Sequence, residues 1–335
     1  MKKFIRLCLL LCLPLVIMVL AYVIIDPFKV VWHYDSYYKP DEIVELNREY
    51  VSAMHYKNHL KEYGYDSFIF GNSRSRAFQC EEWKQYLPKS SVCYHFDSHF
   101  GSVKDLLCGI KFIKEKGKLR HALLIVDCDK ILCQTERDWL VCTIPPILKD
   151  GNNAFEFQAK YFKAFYKFDF LLAYIDYRIS NEYKPRMVGY LINKSLYPDY
   201  DLVSNDEYRN KQENLIKAGD YYDSERIKAF EKAQSPGKVS EVVLNDERIE
   251  MLKEIKSIFD AQMTDYKIVI SPTYNQIRIN PDDLLFLYDV FGQNNVYDFS
   301  GANQWNNDYH NFYETEHYRP CVANEIMQII YGMAF

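Results

Sequence analysis

The chain has 335 residues, 48% of them hydrophobic and 26% charged, and carries a net charge of −5. That is enough apolar material for one large domain or two modest ones, and it excludes an intrinsically disordered chain. The slightly acidic balance leaves no electrostatic footprint for nucleic acid, so no nucleic-acid partner is expected.

The N-terminus holds the clearest physical signal. After Lys2, Lys3 and Arg6, the 19 residues from Leu7 to Ile25 carry no charge, close to the roughly 20 needed to cross a hydrocarbon core. The basic flank predicts that the N-terminus stays cytoplasmic and that everything after Asp26 is exported. A cleavable signal peptide is the rival reading, but the apolar run is long for one and Ala21-Tyr22-Val23 lacks the paired small residues of a cleavage site. Leu11 before Cys12 is too large for a lipoprotein site. Residues 1–26 therefore read as an uncleaved anchor of a single-pass cell-membrane protein with an extracytoplasmic main domain. Two of the nine cysteines fall in this segment, and the remaining odd number shows no ladder spacing. Cys128 and Cys133 are spaced as neither a zinc nor a redox pair, so no disulfide framework is expected.

Residues 27–65 read as a connector, an extended lead and then a helix opening at Asp41-Glu42-Ile43-Val44 and stopped by Gly64. A strand, Ser67 to Phe70, then runs into Gly71-Asn72-Ser73, with a helix from Arg74 to about Tyr86. A second strand, Ser91 to Phe96, leads through His99-Phe100-Gly101-Ser102 to a helix over Val103–Lys116. A third strand, Ala122–Val126, closes on Asp127-Cys128-Asp129. Residues 130–241 are less regular and read as an insertion that covers the sheet or shapes a substrate groove, helical and aromatic-rich over Ala154–Ile179. Order returns with a helix over Asn245–Met263, a strand over Lys267–Ser271, a helix from Pro281 to about Phe291, a short strand over Asn295–Phe299, and a last helix after Pro320. Short apolar strands alternating with helices predict an α/β protein: a three-layer, doubly wound (flavodoxin-like) fold on a mainly parallel five-stranded sheet. The α/β domain then spans residues 66–335.

Chemistry enters at Ser73. A serine between a buried strand and a helix is where such a fold exposes a nucleophile, and it is also where a helix takes its cap. The deciding partner comes late in the chain. Glu314 sits three residues before His317, a spacing that lets the carboxylate hold one imidazole nitrogen and leave the other as a base. Loops after parallel strands gather at one sheet edge, so Ser73 and His317 can converge there. Glu316 is an alternative acid. Asp308, His310, Glu314, Glu316 and His317 form a metal-capable cluster, but without the helical His-x-x-x-His pattern, so neither a metal nor a cofactor is expected.

With both halves in place, Gly71-Asn72-Ser73-Arg74-Ser75 resembles the first block of the SGNH (GDSL-type) hydrolase superfamily. Glu314-Thr315-Glu316-His317 resembles its last block, Asp-x-x-His, with Glu in place of Asp. The N-terminal anchor and the form of the first block are most similar to the membrane-anchored branch with DltD-like and alginate-acetylation-type proteins. Phe299-Ser300-Gly301 and Tyr318-Arg319-Pro320 fit the same pattern. The resemblance covers residues 66–129 and 265–331. It implies Ser73 as nucleophile, His317 as general base and Glu314 as orienting acid, with Gly101 matching an oxyanion-hole glycine. The family's Gly-x-Asn-Asp block is absent after the third strand, so either another group such as Asn72 or Arg74 substitutes for its donor or the reaction differs from plain ester hydrolysis; Asp127 and Asp129 there either cap the strand end or bind substrate. The implied activity is an O-acyltransferase, or its accessory, taking an acyl donor and a cell-envelope glycan or polymer, often beside a polytopic membrane acyltransferase. A membrane-tethered carbohydrate esterase and a non-catalytic envelope scaffold are the alternatives.

Overall fold

The computed structural model describes residues 2–39, 42–133, 139–149, 153–194 and 197–332. Helix α1 spans Lys2–Ile25; the side chains of Lys2, Lys3 and residues 5–10 lie outside the description. Among the described residues no helix is long and apolar enough to cross a membrane. Helix α2, Arg48–Tyr63, starts later than the apolar spacing predicts, because the Asn47 side chain caps it by accepting from the Tyr50 N–H and Gly64 closes it in the left-handed conformation. Asp41 lies outside the described residues. Ile43, Val44 and Leu46, expected on that helix, are instead buried non-helical chain.

Strand β1, Ser67–Gly71, is buried throughout. The single helix expected after it is replaced by a 3₁₀ turn, Ser73–Ala77, followed by a five-residue helix α3, Cys80–Lys84. The reason is local. Ser75 Oγ donates back to the Asn72 carbonyl at 2.7 Å, and the Phe78 N–H closes on Ser75, so a side chain competes for the backbone and the turn does not propagate. Next come β2, Cys93–Asp97, α4, Val103–Lys116, and β3, His121–Val126. The insertion contributes α5, Ala154–Phe165, α6, Phe168–Ser180, a small hairpin of β4, Asp199–Tyr200, and β5, Glu207–Tyr208, then α7, Asn210–Ala218, and α8, Ser224–Ala233. The chain finishes with α9, Asp246–Gln262, β6, Asp265–Ile270, α10, Pro281–Phe291, β7, Val296–Asp298, the hairpin β8, Phe312–Glu314, and β9, His317–Tyr318, and α11, Pro320–Gly332.

β2, β1, β3, β6 and β7 form one five-stranded sheet in that order, every pair parallel. Alternation along the strands feeds two cores. Phe68, Phe70, Leu124 and Ile268 pack with α2, α4, α9 and α10, while Ile69, Leu123, Ile125 and Val269 pack with α3 and α11. Helices therefore cover both faces, as a parallel sheet requires. A separate cluster joins Tyr22, Phe28 and Ile43 to α5 and α6. The insertion also covers the exposed edge of β2: the His95 N–H donates to Ser204 O at 2.8 Å and Asn205 Nδ2 to His95 O at 2.7 Å, which satisfies an edge that would otherwise be free to pair.

Gly71 ends β1 where no side chain fits. A Cβ there would lie 2.7 Å from Ser75 Cβ and 2.8 Å from the Ile125 carbonyl oxygen. Gly71→Ala is expected to destabilise the chain by about 1–3 kcal/mol, as overpacking does, read as a lower denaturant midpoint.

Candidate active site

All five strands point the same way, so their carboxyl ends share one edge. Ser73 lies two residues beyond β1, half-buried at the head of the 3₁₀ turn. His317 comes from the β8–β9 hairpin, where Glu314 and His317 face each other across a two-residue turn. This hairpin is more ordered than the loop the sequence suggests. Tyr318 pins it to the end of β6 through a 3.0 Å contact with Ser271 Oγ. Glu213 of α7 holds it from outside, paired with Arg319 at 2.6 Å and accepting from the Tyr313 hydroxyl.

The three side chains form one line. His317 Nε2 stands 2.7 Å from Ser73 Oγ, and His317 Nδ1 bonds Glu314 Oε1. The other Glu314 oxygen accepts the Glu316 N–H at 2.9 Å, which fixes the carboxylate. Burial lowers the His317 pKa from the ordinary 6.5, with Arg209 adding to the effect and Glu314 opposing it. Burial alone would raise the Glu314 carboxyl, but the His317 hydrogen bond and charge outweigh it and hold it low. At neutral pH this is an ionised acid orienting an uncharged imidazole whose free nitrogen meets a hydroxyl, an arrangement suited to general-base activation of the serine.

Glu316 is not the orienting acid. Its carboxylate pairs with Arg74 at 3.0 Å and Lys130 at 2.6 Å. Asp308 and His310 pair with one another, and among the described residues no group of three or more His, Cys, Asp or Glu side chains is placed to hold a metal ion. The described cysteines carry no disulfide.

Asn72 and Arg74, the candidate substitutes for a missing oxyanion donor, are committed elsewhere. Asn72 Nδ2 donates to Asp127 Oδ2 at 2.7 Å, and its Oδ1 accepts the Arg74 N–H. Arg74 is buried, with Nε on the Glu316 carbonyl and its terminal nitrogens on Asp129, Asp127 and Glu316. A guanidinium surrounded by three carboxylates has little left for a substrate oxyanion. Asp127 also caps the chain after β3, accepting the Lys130 and Ile131 N–H groups at 2.8 Å. Gly101 lies near the nucleophile turn: its φ is +52°, and a Cβ there would sit 3.3 Å from Asn72 Cβ. The Ser73 N–H takes no hydrogen bond among the described residues, which leaves it available as a donor.

Several residues at the site carried no motif. Arg76, Glu207, Arg209 and Tyr313 line the cleft with Ser73 and His317. Arg209 stands over the Tyr313 ring at 5.0 Å. Asp97, at the end of β2, binds Arg48 and Arg76; the rule that picked out Ser73, a polar residue at a strand's carboxyl end, would have found it. Glu207 and Arg209 sit in turn-rich insertion sequence that gives no such signal.

Two outcomes follow from this geometry. Arg74→Met leaves Asp127 buried without its cation and is expected to cost about 3–5 kcal/mol in a denaturant titration. Because burial depresses the His317 pKa, the base is lost only as pH falls through a value below 6.5. The rate of Ser73 modification by a serine-directed phosphonate should fall along that acid limb, and Glu314→Gln should slow it by about 10²-fold or more. No protein-family model, curated protein or solved structure matches this chain, so the chemistry assigned to the site rests on its own geometry.

Proposed function

We propose that the chain is a membrane-anchored, SGNH-like serine acyl-transfer protein acting on cell-envelope glycans or polymers through Ser73, His317 and Glu314. The observation that carries this reading is the unbroken line from Glu314 through both imidazole nitrogens to the Ser73 hydroxyl. Two further features support it. The sheet order β2-β1-β3-β6-β7 reads 2-1-3-4-5 when its strands alone are numbered, the flavodoxin-like order, whose ligands bind at the carboxyl edge. The stretches that resemble the first and last superfamily blocks supply the residues of this line.

In the proposed reaction His317 Nε2 takes the Ser73 proton as Oγ attacks an acyl carbonyl, forming a tetrahedral oxyanion. In this reading the Ser73 N–H stabilises that charge, with Gly101, which adjoins Asn72, as the second donor. Collapse breaks the bond to the leaving alcohol, which takes the proton from His317, and leaves the acyl group on Ser73. An acceptor hydroxyl then gives its proton to His317, attacks the serine ester and carries the acyl group away, and the proton returns to Ser73.

Anchoring rests on the uncharged run Leu7–Ile25 and on the surface beside it. Helix α6 leaves Phe168, Leu172, Ile175 and Ile179 exposed at spacings of four, three and four residues, one helical stripe. The adjoining α5 and its C-cap pack on the end of α1, with the Tyr166 hydroxyl donating to Met18 O at 2.7 Å and Tyr22 against Phe162. A bilayer at α1 would then meet a second apolar face, consistent with work on a polymer at the membrane's outer surface.

A fluorophosphonate probe applied to the full chain in detergent tests the reading. The expected result is a single adduct at Ser73 that Ser73→Ala abolishes. An unlabelled folded protein, or equal labelling of Ser73→Ala, overturns it.

A further inference from the structure

A second cavity, of about 310 Å³, adjoins the Ser73 cleft and shares Arg76, Glu207 and Arg209 with it. Its size lies at the small end of ligand clefts. Apart from Arg76 and His99, its walls come from parts of the chain that carry no motif: the lead into α2 with Arg48, and the insertion around the β4–β5 hairpin.

One wall is aromatic. Tyr38 and Tyr200 stack at 3.7 Å with an interplanar angle of 8°, Tyr197 packs edge-on to Tyr200, and the Arg48 guanidinium lies about 5 Å from both stacked rings. The polar groups are held in fixed positions by one another. Glu207 accepts from the Tyr200 hydroxyl at 3.2 Å and pairs with Arg76 at 2.9 Å and Arg209 at 3.3 Å. Asp97, behind them, pairs with Arg48 at 2.5 Å and Arg76 at 2.8 Å.

The charge balance decides the ligand class. Arg48 and Arg76 are paired with Asp97, Arg76 and Arg209 with Glu207, and the rim residue Glu45 pairs with His99, so each arginine already holds a buried carboxylate. His99 adds no charge at neutral pH, since burial and the neighbouring Arg76 and Arg48 push it down to about 3. A phosphate or carboxylate ligand would have to displace a buried carboxylate from its arginine, which is costly. A hydroxyl group has no such competitor, because it donates to Glu207 and accepts from the guanidinium N–H groups without disturbing either pair. Hydroxyls around a ring with an apolar face match a site with polar groups on one side and tyrosines on the other.

We infer that this cavity is a sugar subsite that seats one neutral, hydroxyl-rich ring, with a ring oxygen substituent reaching Ser73 past Arg76 and Glu207. The direction of that substituent rests on the acyl-transfer reading. The binding of the ring does not.

The test uses the full chain carrying Ser73→Ala, in detergent, titrated calorimetrically with chitotetraose, cellotetraose and mannotetraose as neutral probes and with tetragalacturonate as the anionic one. At least one neutral tetrasaccharide should bind, and tetragalacturonate should bind no more tightly. Adding Tyr197→Ala should weaken the neutral ligand by about tenfold, and Tyr197→Phe, which keeps the ring face, should retain it. The inference is overturned if no neutral tetrasaccharide binds in the millimolar range, if tetragalacturonate binds more tightly, or if Tyr197→Ala and Tyr197→Phe behave alike. Sugar binding in a protein whose wild-type Ser73 resists the phosphonate would support the subsite and overturn the acyl-transfer reading alone.

Discussion

The carboxylate of Asp97 is the contact on which the site's architecture depends. It ends the edge strand β2 and is shared by Arg48 from α2 and Arg76 from the turn that carries Ser73. Arg76 passes the connection to Glu207 of the insertion. Burial alone would raise this carboxyl, but the two guanidiniums outweigh it and hold it well below the usual range. Glu207 follows the same logic with Arg76 and Arg209, held down to about 2. Both groups therefore stabilise the fold above the ordinary carboxylate pKa and lose that contribution as pH falls toward their depressed values. Four segments of the chain are tied at one point, and the second cavity opens where they meet.

Two serine–histidine–acid lines start from serines two residues apart, and burial separates them. Ser75 Oγ stands 2.9 Å from His95 Nε2, and His95 Nδ1 lies 2.9 Å from Asp206. On distances alone this is as good a triad as that of Ser73. All three of its side chains are buried, however, and Ser75 Oγ already donates to the Asn72 carbonyl. With no surface for a substrate, this line fixes the Ser73 turn to β2 and to the insertion. The Ser73 line opens on a cleft, and only there can the same arrangement perform chemistry.

Much of the frame was legible because it depends on local pattern. The parallel strands, α4 from Val103 and α10 from Pro281 follow from apolar period, capping serine and asparagine, and proline at the first helical turn. Ser73, Glu314 and His317 were legible because a strand end and a three-residue spacing are sequence properties. The start of α2 was misread because Ile43, Val44 and Leu46 have helical spacing yet pack as extended chain against distant aromatics, a tertiary choice that periodicity does not encode. The helix expected after Ser73 fails for a local reason, since Ser75 Oγ donates back to the Asn72 carbonyl and the turn does not propagate. Arg209, which faces His317 from the insertion, had no local signature at all.

This division has a chemical consequence. Ser73, His317 and Glu314 stand at a strand end and on a hairpin bonded to the sheet, so their spacing is set by the sheet itself. Most of the adjoining cavity's wall comes from the lead into α2 and from the insertion around the β4–β5 hairpin, segments that connect to the sheet through ion pairs such as Arg76–Glu207 and a few hydrogen bonds to the β2 edge rather than through a continuous strand ladder. A change of side chain at Tyr197 or Glu45 alters what the cavity admits without moving Ser73 or His317, whereas a change at Asp97 disturbs both. Under the proposed function, recognition would vary at the rim while the Ser73–His317–Glu314 line stays in place, and Asp97 marks the boundary between the two.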